Sequence, residues 1–173
     1  MGERPYISAT EPDWRREAPA RFWDPGRRLL ACIRAYAKAG TLGRKRWALS
    51  HRFWSAVTSC DIPLNARIGG GLILPHATGI VIHPEAEIGP NCLVFQNVTI
   101  GRREGAAGAP KIGGRVDIGA GAVILGDVSI GDQAIIGANA VVTRDVPPGG
   151  VAMGVPARVV RVMDAAPPAA PDA

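Results

Sequence analysis

The sequence predicts a mainly β protein: a parallel β-helix of hexapeptide repeats behind a short N-terminal α-helical region. Three observations carry this. First, a branched aliphatic stands at every sixth position from Ile112 to Val142: Ile112, Ile118, Ile124, Ile130, Ile136, Val142. Second, glycine follows four of these residues (Gly113, Gly119, Gly131, Gly137), and Val or Ala stands four residues after each (Val116, Ala122, Val128, Ala134, Ala140, Val146). Third, the same period is visible upstream, in Ile62, Ile68, Leu74, Ile80 and again in Ile88, Val94, Ile100. An amphipathic helix repeats at about 3.6 residues and a single strand at 2, so neither explains a period of six. A six-residue repeat is the mark of a parallel β-helix. Each hexapeptide is one flat side plus a turn, and three sides close a coil. Coils then stack at about 4.8 Å, the strand spacing. The recurring aliphatic fills the interior.

Residues 1–60 form the helical region. A short helix is expected around Trp14–Phe22. A second is clearer: Asp24 suits the cap, Pro25 the first helical position, and Gly40 the place just past the end. Leu29, Leu30, Ile33, Tyr36 and Ala37 fall on one face of it. A further helix is expected from about Gly43 to Thr58, with Trp47, Phe53, Trp54 and Val57 on its apolar side and Arg44-Lys45-Arg46 at its start. That basic cluster opposes the helix dipole, and it reads as a solvated face more readily than as an anion site.

The β-helix spans residues 61–148, about four and a half coils. The step from Ile80 to Ile88 is eight, so two extra residues are expected there, next to His83-Pro84. Residues 101–110, rich in Gly and small or charged residues, read as a loop leaving the coil. Residues 149–163 are a C-terminal segment that can cross the open end or run back along a face. The Pro- and Ala-rich residues 164–173 cannot build a core and are expected to be disordered.

Composition excludes some classes. No stretch of 18 uncharged apolar residues occurs, so no membrane span is expected. Met1-Gly-Glu-Arg-Pro lacks the apolar run of a secretory signal. Cys32, Cys60 and Cys92 are scattered and no Cys-x-x-Cys occurs, which suggests neither a disulfide framework nor a metal site. A reducing cytoplasm is the expected location. Cys92 reads as a small core residue. The net charge of +5 comes without a nucleic-acid motif or aromatic interleaving, so a phosphorylated small molecule is the better anionic partner.

Chemistry-bearing residues are few. His51, among bulky residues of a helix, reads as structural, and His83 as a surface corner. His76 lies in Leu74-Pro-His-Ala-Thr-Gly79, where the repeat expects a small side chain. A polar imidazole is costly there unless it is used. Residue type alone does not decide between a functional and a structural role. Asp61, taken alone, reads as a strand-start turn residue.

At this point a family resemblance emerges. Asp61-Ile62, Ile68-Gly-Gly-Gly-Leu-Ile-Leu-Pro-His76-Ala-Thr-Gly-Ile80, Gln96-Asn-Val-Thr-Ile-Gly101, Pro110-Lys-Ile-Gly113, Ile118-Gly-Ala-Gly-Ala-Val-Ile-Leu-Gly126, Ile136-Gly-Ala-Asn-Ala-Val-Val142 and Gly154-Val-Pro-Ala-Arg158 resemble serine acetyltransferases. The repeat is shared by many acyltransferases. An Asp followed fifteen residues later by His-Ala-Thr-Gly is more specific. The resemblance implies a left-handed coil, a homotrimer with pairing of trimers as a further option, and acetyl-CoA as co-substrate. General crossover rules alone would have given a right-handed coil. It also implies that His76 is the general base and Asp61 the carboxylate that orients it. Gly101, Ala120 and Ala138 would line the groove for the pantetheine arm. Lys111, Arg144, Arg158 and Arg161 are the cations available to its phosphates.

The acceptor side departs from the family. Serine acetyltransferases have Asp directly before the catalytic His, where this chain has Pro75. They have Arg-His before Pro-Lys-Ile, where this chain has Gly108-Ala109. Those family residues hold the amino acid's two charges. The loop after Gly101 and the helical region are both shorter, and Ala173 replaces a terminal Ile. An O-acetyltransferase of the serine acetyltransferase type is therefore expected, with a sugar hydroxyl as the alternative acceptor. A non-catalytic β-helix scaffold is the reading from another class.

Overall fold

The computed structural model describes residues 7–163 apart from 20, 22 and 106. Its strands are two to six residues long and form three sheets, one for each face of a coil. The first face stacks Val81–Ile82, Thr99–Gly101, Val123–Leu125 and Val141–Val142. The second stacks Arg67–Ile68, Glu87–Ile88, Lys111–Ile112 and Ser129–Ile130. The third stacks Leu93–Val94, Asp117–Ile118, Ile135–Ile136 and Gly150–Gly154, all parallel. Ala157–Val162 then turns back antiparallel on Gly150–Gly154, so the C-terminal segment runs back along a face.

Register explains the sixfold signal. Ile82, Ile100, Ile124 and Val142 are neighbours up the first face. Ile68, Ile88, Ile112 and Ile130 run up the second, and Val94, Ile118, Ile136 and Ala152 up the third. All are buried. The small residues two positions earlier, such as Cys92, Val116 and Ala134, fill the interior corners and are fully enclosed. Each enclosed aliphatic contributes about 1.5–3 kcal/mol, so the coils stabilise one another cumulatively.

One expected register is wrong. Asp61 bridges Val81, which puts Ile62 beneath Ile82 rather than Ile80. Ile80 takes the slot that Val98 fills in the next coil. The two extra residues therefore lie between Leu74 and Ile82, around His76, and not between Ile80 and Ile88. His83 sits on a regular corner, its Nδ1 accepting from the Glu85 N–H at 3.2 Å. Gly101, expected to open the loop, ends the first-face strand, and residues 102–110 separate it from the second-face strand that begins at Lys111.

The helical region closes the N-terminal end of the coil. Helix α1 spans Pro25–Lys38, and the Asp24 carboxylate accepts from the Arg27 N–H at 3.4 Å. Leu29, Leu30 and Ile33 are buried and join the β-helix core. Helix α2 spans Thr41–Thr58. Gly40 is its N-cap instead of the residue that ends α1, whose cap is Ala39. The expected apolar face of α2 is only partly used. Trp54 packs on the core and Trp47 is half-buried, whereas Phe53 and Val57 are exposed, as are Leu42 and Leu49. His51 donates from Nε2 to the Ile62 carbonyl at 2.8 Å, a structural role. Arg44 lies over the Tyr36 ring, and Arg44, Lys45 and Arg46 are all solvated.

In place of a helix through Phe22 there is a single 3-10 turn, Trp14–Glu17; Phe22 lies outside the described residues, as do residues 164–173. The arm from Ser8 to Glu17 runs along the corner between the second and third faces. Asn91, 1% exposed, donates to the Ser8 and Glu11 carbonyls and accepts from the Asp13 N–H. Gly70 lies so close to the Trp14 indole that a Cβ would meet it at 2.6 Å. The Glu17 carboxylate pairs with Arg34 at 2.8 Å and accepts the Gly71 and Leu72 N–H groups at 2.8 and 3.2 Å. Arg34 also donates to the Ile68 and Gly69 carbonyls.

This clamp leads to a prediction. Glu17→Ala leaves a half-buried guanidinium and two N–H groups without their partner. It should cost about 3 kcal/mol, measured as a lower denaturation midpoint at unchanged slope. An unchanged midpoint would show that the arm contributes nothing to stability.

Candidate active site

The corner joining the third face to the first carries the candidate residues His76, Ala120 and Ala138. In regular coils this corner is a tight turn whose last residue has a positive φ, as at Asn97 (57°) and Asn139 (56°). A backbone ladder stacks these turns. The Asn97 N–H donates to the Thr78 carbonyl at 2.9 Å, Gly121 to Gln96 at 2.9 Å, and Asn139 to Ala120 at 2.8 Å. Thr78, Gln96, Ala120 and Ala138 thus lie above one another along one edge of the molecule.

His76 belongs to the lowest turn of this edge, and the two extra residues widen that turn. Pro75 and His76 are both exposed. The Thr78 N–H closes back on the His76 carbonyl at 2.8 Å. The imidazole faces the Phe95 ring of the next coil, with centroids 6.4 Å apart and planes 37° apart. The expectation that His76 replaces a small side chain therefore needs correction: the widened turn makes its own room, and no desolvation cost arises. The geometric argument is different and simpler. A turn with extra length carries a titratable side chain to the head of the row Gln96, Ala120 and Ala138.

Asp61 begins the first face. Its N–H donates to the Ile80 carbonyl at 2.8 Å and its carbonyl accepts from Ile82 at 2.9 Å, while the carboxylate is exposed. No hydrogen bond or ion pair joins Asp61 to His76 in this structure. Asp61 is held by its backbone pairing with Ile80 and Ile82, whereas His76 lies on the turn that leads into that segment.

The remaining candidates divide by location. Ala120 and Ala138 share the His76 corner. Gly101 ends the first face, paired with Leu125 at the root of the loop. Arg144 and Arg158 line one hollow near the C-terminal end, together with Asp145 and Val159. Arg161 pairs in register with Val151 on the last hairpin. Lys111 is exposed on the second face between Glu87 and Ser129, away from the His76 corner. On the acceptor side, Ala109 is buried, and Gly108 lies beside Asp127. Arg102 pairs with Glu85 at 3.6 Å, and Arg103 is exposed.

Gln96, to which the sequence assigned no role, stands on the same edge. Its Oε1 is buried and has no hydrogen-bond partner among the described residues. Orphaned buried acceptors are rare and call for an explanation. The signal was a long polar side chain at a corner where later coils carry Ala120 and Ala138. Cys92, by contrast, is inert core: burial pushes its thiol up to about 11. Burial also raises the Asp117 carboxyl, against the opposing pull of Arg115 and Arg16.

With this geometry in hand, likeness to known proteins becomes informative. Residues 109–144 match the family described as bacterial transferase hexapeptide (six repeats). The chain is 49% identical over 126 residues, 71% of its own length, to serine acetyltransferase 5 of Arabidopsis thaliana. The solved serine acetyltransferase of Neisseria gonorrhoeae in complex with serine superposes with a TM-score of 0.68 at 42% identity, covering 78% of this chain. The Brucella abortus serine acetyltransferase in complex with coenzyme A gives 0.70 at 36% identity over 79%. The chain spans 40% of the Arabidopsis protein and 56% of each of the two solved chains. It is a serine acetyltransferase-like protein of the hexapeptide-repeat type, folded as a left-handed parallel β-helix.

Proposed function

We propose that the protein is an acetyl-CoA-dependent O-acetyltransferase that passes the acetyl group directly to an acceptor hydroxyl. The observation that carries this is His76 on its widened turn, at the head of the edge formed by Gln96, Ala120 and Ala138. An alcohol is a poor nucleophile at neutral pH, and imidazole is the side chain suited to take its proton. His76 removes the hydroxyl proton as the oxygen attacks the thioester carbonyl. The tetrahedral intermediate then expels the coenzyme A thiolate, which takes the proton back from the imidazolium. Backbone N–H groups are the donors available to the oxyanion. Asp61 serves as the carboxylate that orients the imidazole, through a contact that forms when substrate is bound.

Coenzyme A runs from His76 toward the C-terminal coils. Small side chains at Gly101, Ala120 and Ala138 let the pantetheine arm approach the backbone. Gln96 Oε1 offers an acceptor to an N–H or O–H of a bound substrate. Arg144 and Arg158 lie where phosphates would follow, with Lys111 reaching a neighbouring copy's groove in a homotrimer. The exposed face of α2 suits pairing of trimers. No described helix is long and apolar enough to cross a membrane, and a cytoplasmic location fits the use of acetyl-CoA.

L-serine is the acceptor favoured by the likeness to named serine acetyltransferases. A sugar hydroxyl is favoured by Pro75, Gly108 and Ala109, which offer no charge for an ammonium or carboxylate. A zwitterion left unpaired in a groove is expensive to desolvate.

Three outcomes test this reading. His76→Ala should lower turnover by at least about a hundredfold with coenzyme A affinity near normal, read from steady-state rates and a binding isotherm. Near-normal turnover in the folded variant would remove His76 as the base, and no thiol release with any acceptor would favour the scaffold reading. Light scattering should give a trimer or a multiple of it; a stable, active monomer would contradict a groove shared between copies. The KM for L-serine should lie well above about 1 mM. Efficient, stereoselective serine turnover would instead mean that Arg102 or Arg103 supplies the missing charge.

A further inference from the structure

Donor and acceptor must approach the base from different sides. The row Gln96, Ala120 and Ala138 leaves His76 toward the C-terminal coils. On the N-terminal side lies a cleft of about 550 Å3 between the start of α1 and the His76 turn. One wall is Ile73, Leu74, Pro75, Ala77 and Thr78, the residues that flank His76. The other wall is Arg21, Trp23, Asp24, Pro25, Gly26 and Arg27. Gly26 seats this wall against the turn, since a Cβ there would meet Ala77 Cβ at 2.8 Å.

The chemistry of the two walls is specific. Arg27 is already committed: it pairs with Asp24 at 3.1 Å and donates to the Arg16 carbonyl at 3.1 Å. Those two charges neutralise each other. Arg21 is exposed and makes no hydrogen bond or ion pair among the described residues. Its guanidinium is the uncommitted charge of the cleft. Trp23 is held edge-on by Trp54, with centroids 5.6 Å apart, yet is 60% exposed. A fixed, exposed indole offers a flat apolar surface. The axial C–H groups of a pyranose present a complementary apolar face, whereas serine is too small to cover it. The turn side adds Pro75, which is uncharged, and Thr78.

We propose that this cleft is an acceptor subsite for a sugar that carries an anionic group, with the ring on Trp23 and the anion on Arg21. The role as acceptor subsite rests on the acetyltransferase reading above; the binding itself does not. A guanidinium recognises phosphate or carboxylate oxygens by paired N–H donors, so the shared chemistry is an anionic sugar rather than one particular compound.

The test is calorimetric titration of the full-length protein with N-acetylglucosamine 1-phosphate, with N-acetylglucosamine and inorganic phosphate as controls. Glucuronic acid serves as a carboxylate arm that distinguishes the two anion types. The expected result is that an anionic sugar binds and both controls bind more weakly. Arg21→Ala should weaken it about tenfold, with Arg21→Lys partly restoring it. Trp23→Ala should weaken it with coenzyme A affinity unchanged. Three results would overturn the proposal: no anionic sugar binds, phosphate alone binds as well as the sugar phosphate, or Arg21→Ala binds as the parent does. Thiol release from acetyl-CoA, followed in parallel with L-serine and with the sugars, separates failure of this subsite from failure of the acetyltransferase reading.

Discussion

In a parallel coil every strand finds its backbone partners one turn above and below, so the stacking register fixes both the ladder and the interior at once. A slip of one residue would turn each aliphatic outward. With strands of two or three residues no single pairing is strong, and fidelity comes from repetition. The chain therefore tolerates changes of length only at corners, where the excess can leave the coil without disturbing the rows of Ile and Val. It uses this freedom twice, at the turn around His76 and at the loop after Gly101. Both lie beside the first face, and both carry polar or charged side chains that a regular coil would not display.

The same constraint organises the site. Because the corner ladder aligns Thr78, Gln96, Ala120 and Ala138, the edge is a straight track rather than a pocket enclosed by one chain. Such a track is suited to a long, flexible ligand. The ends of the track differ. At the C-terminal end the cations Arg144 and Arg158 gather in one hollow. At the N-terminal end α1 and its preceding segment add the aromatic and basic groups that the repeat lacks. The opposite corner is occupied by the Ser8–Glu17 arm, which is tied to Asn91, Gly71 and Leu72. That arm fixes where α1 begins, and so fixes the wall that faces the His76 turn.

Much of this was legible in the sequence. The sixfold period names the architecture because the interior rows are direct images of the register. The cap at Asp24 and the glycine-rich excursion after Gly101 follow from local rules. The misplaced insertion is equally instructive. Ile80 fits the sixfold series by spacing, and only the pairing of Asp61 with Val81 reveals that Ile82 holds the interior row. Ile80 and Ile82 are both buried isoleucines, so periodicity alone could not choose between them. Handedness came from the family resemblance, not from periodicity. The exposed face of α2 was misjudged because apolar periodicity marks a face that wants covering, without saying whether this chain covers it. The surroundings of Gln96 and the Trp23 cleft were invisible because they depend on contacts between coils and helices far apart in sequence.

The central claim is that the His76 corner is the track along which the acyl donor lies. The most direct measurement is the position of coenzyme A in a crystal of the complex. The account predicts the thiol beside the His76 imidazole, the pantetheine arm passing Gln96, Ala120 and Ala138, and the phosphates near Arg144 or Arg158. Coenzyme A bound on another face, with its sulfur remote from His76, would contradict it.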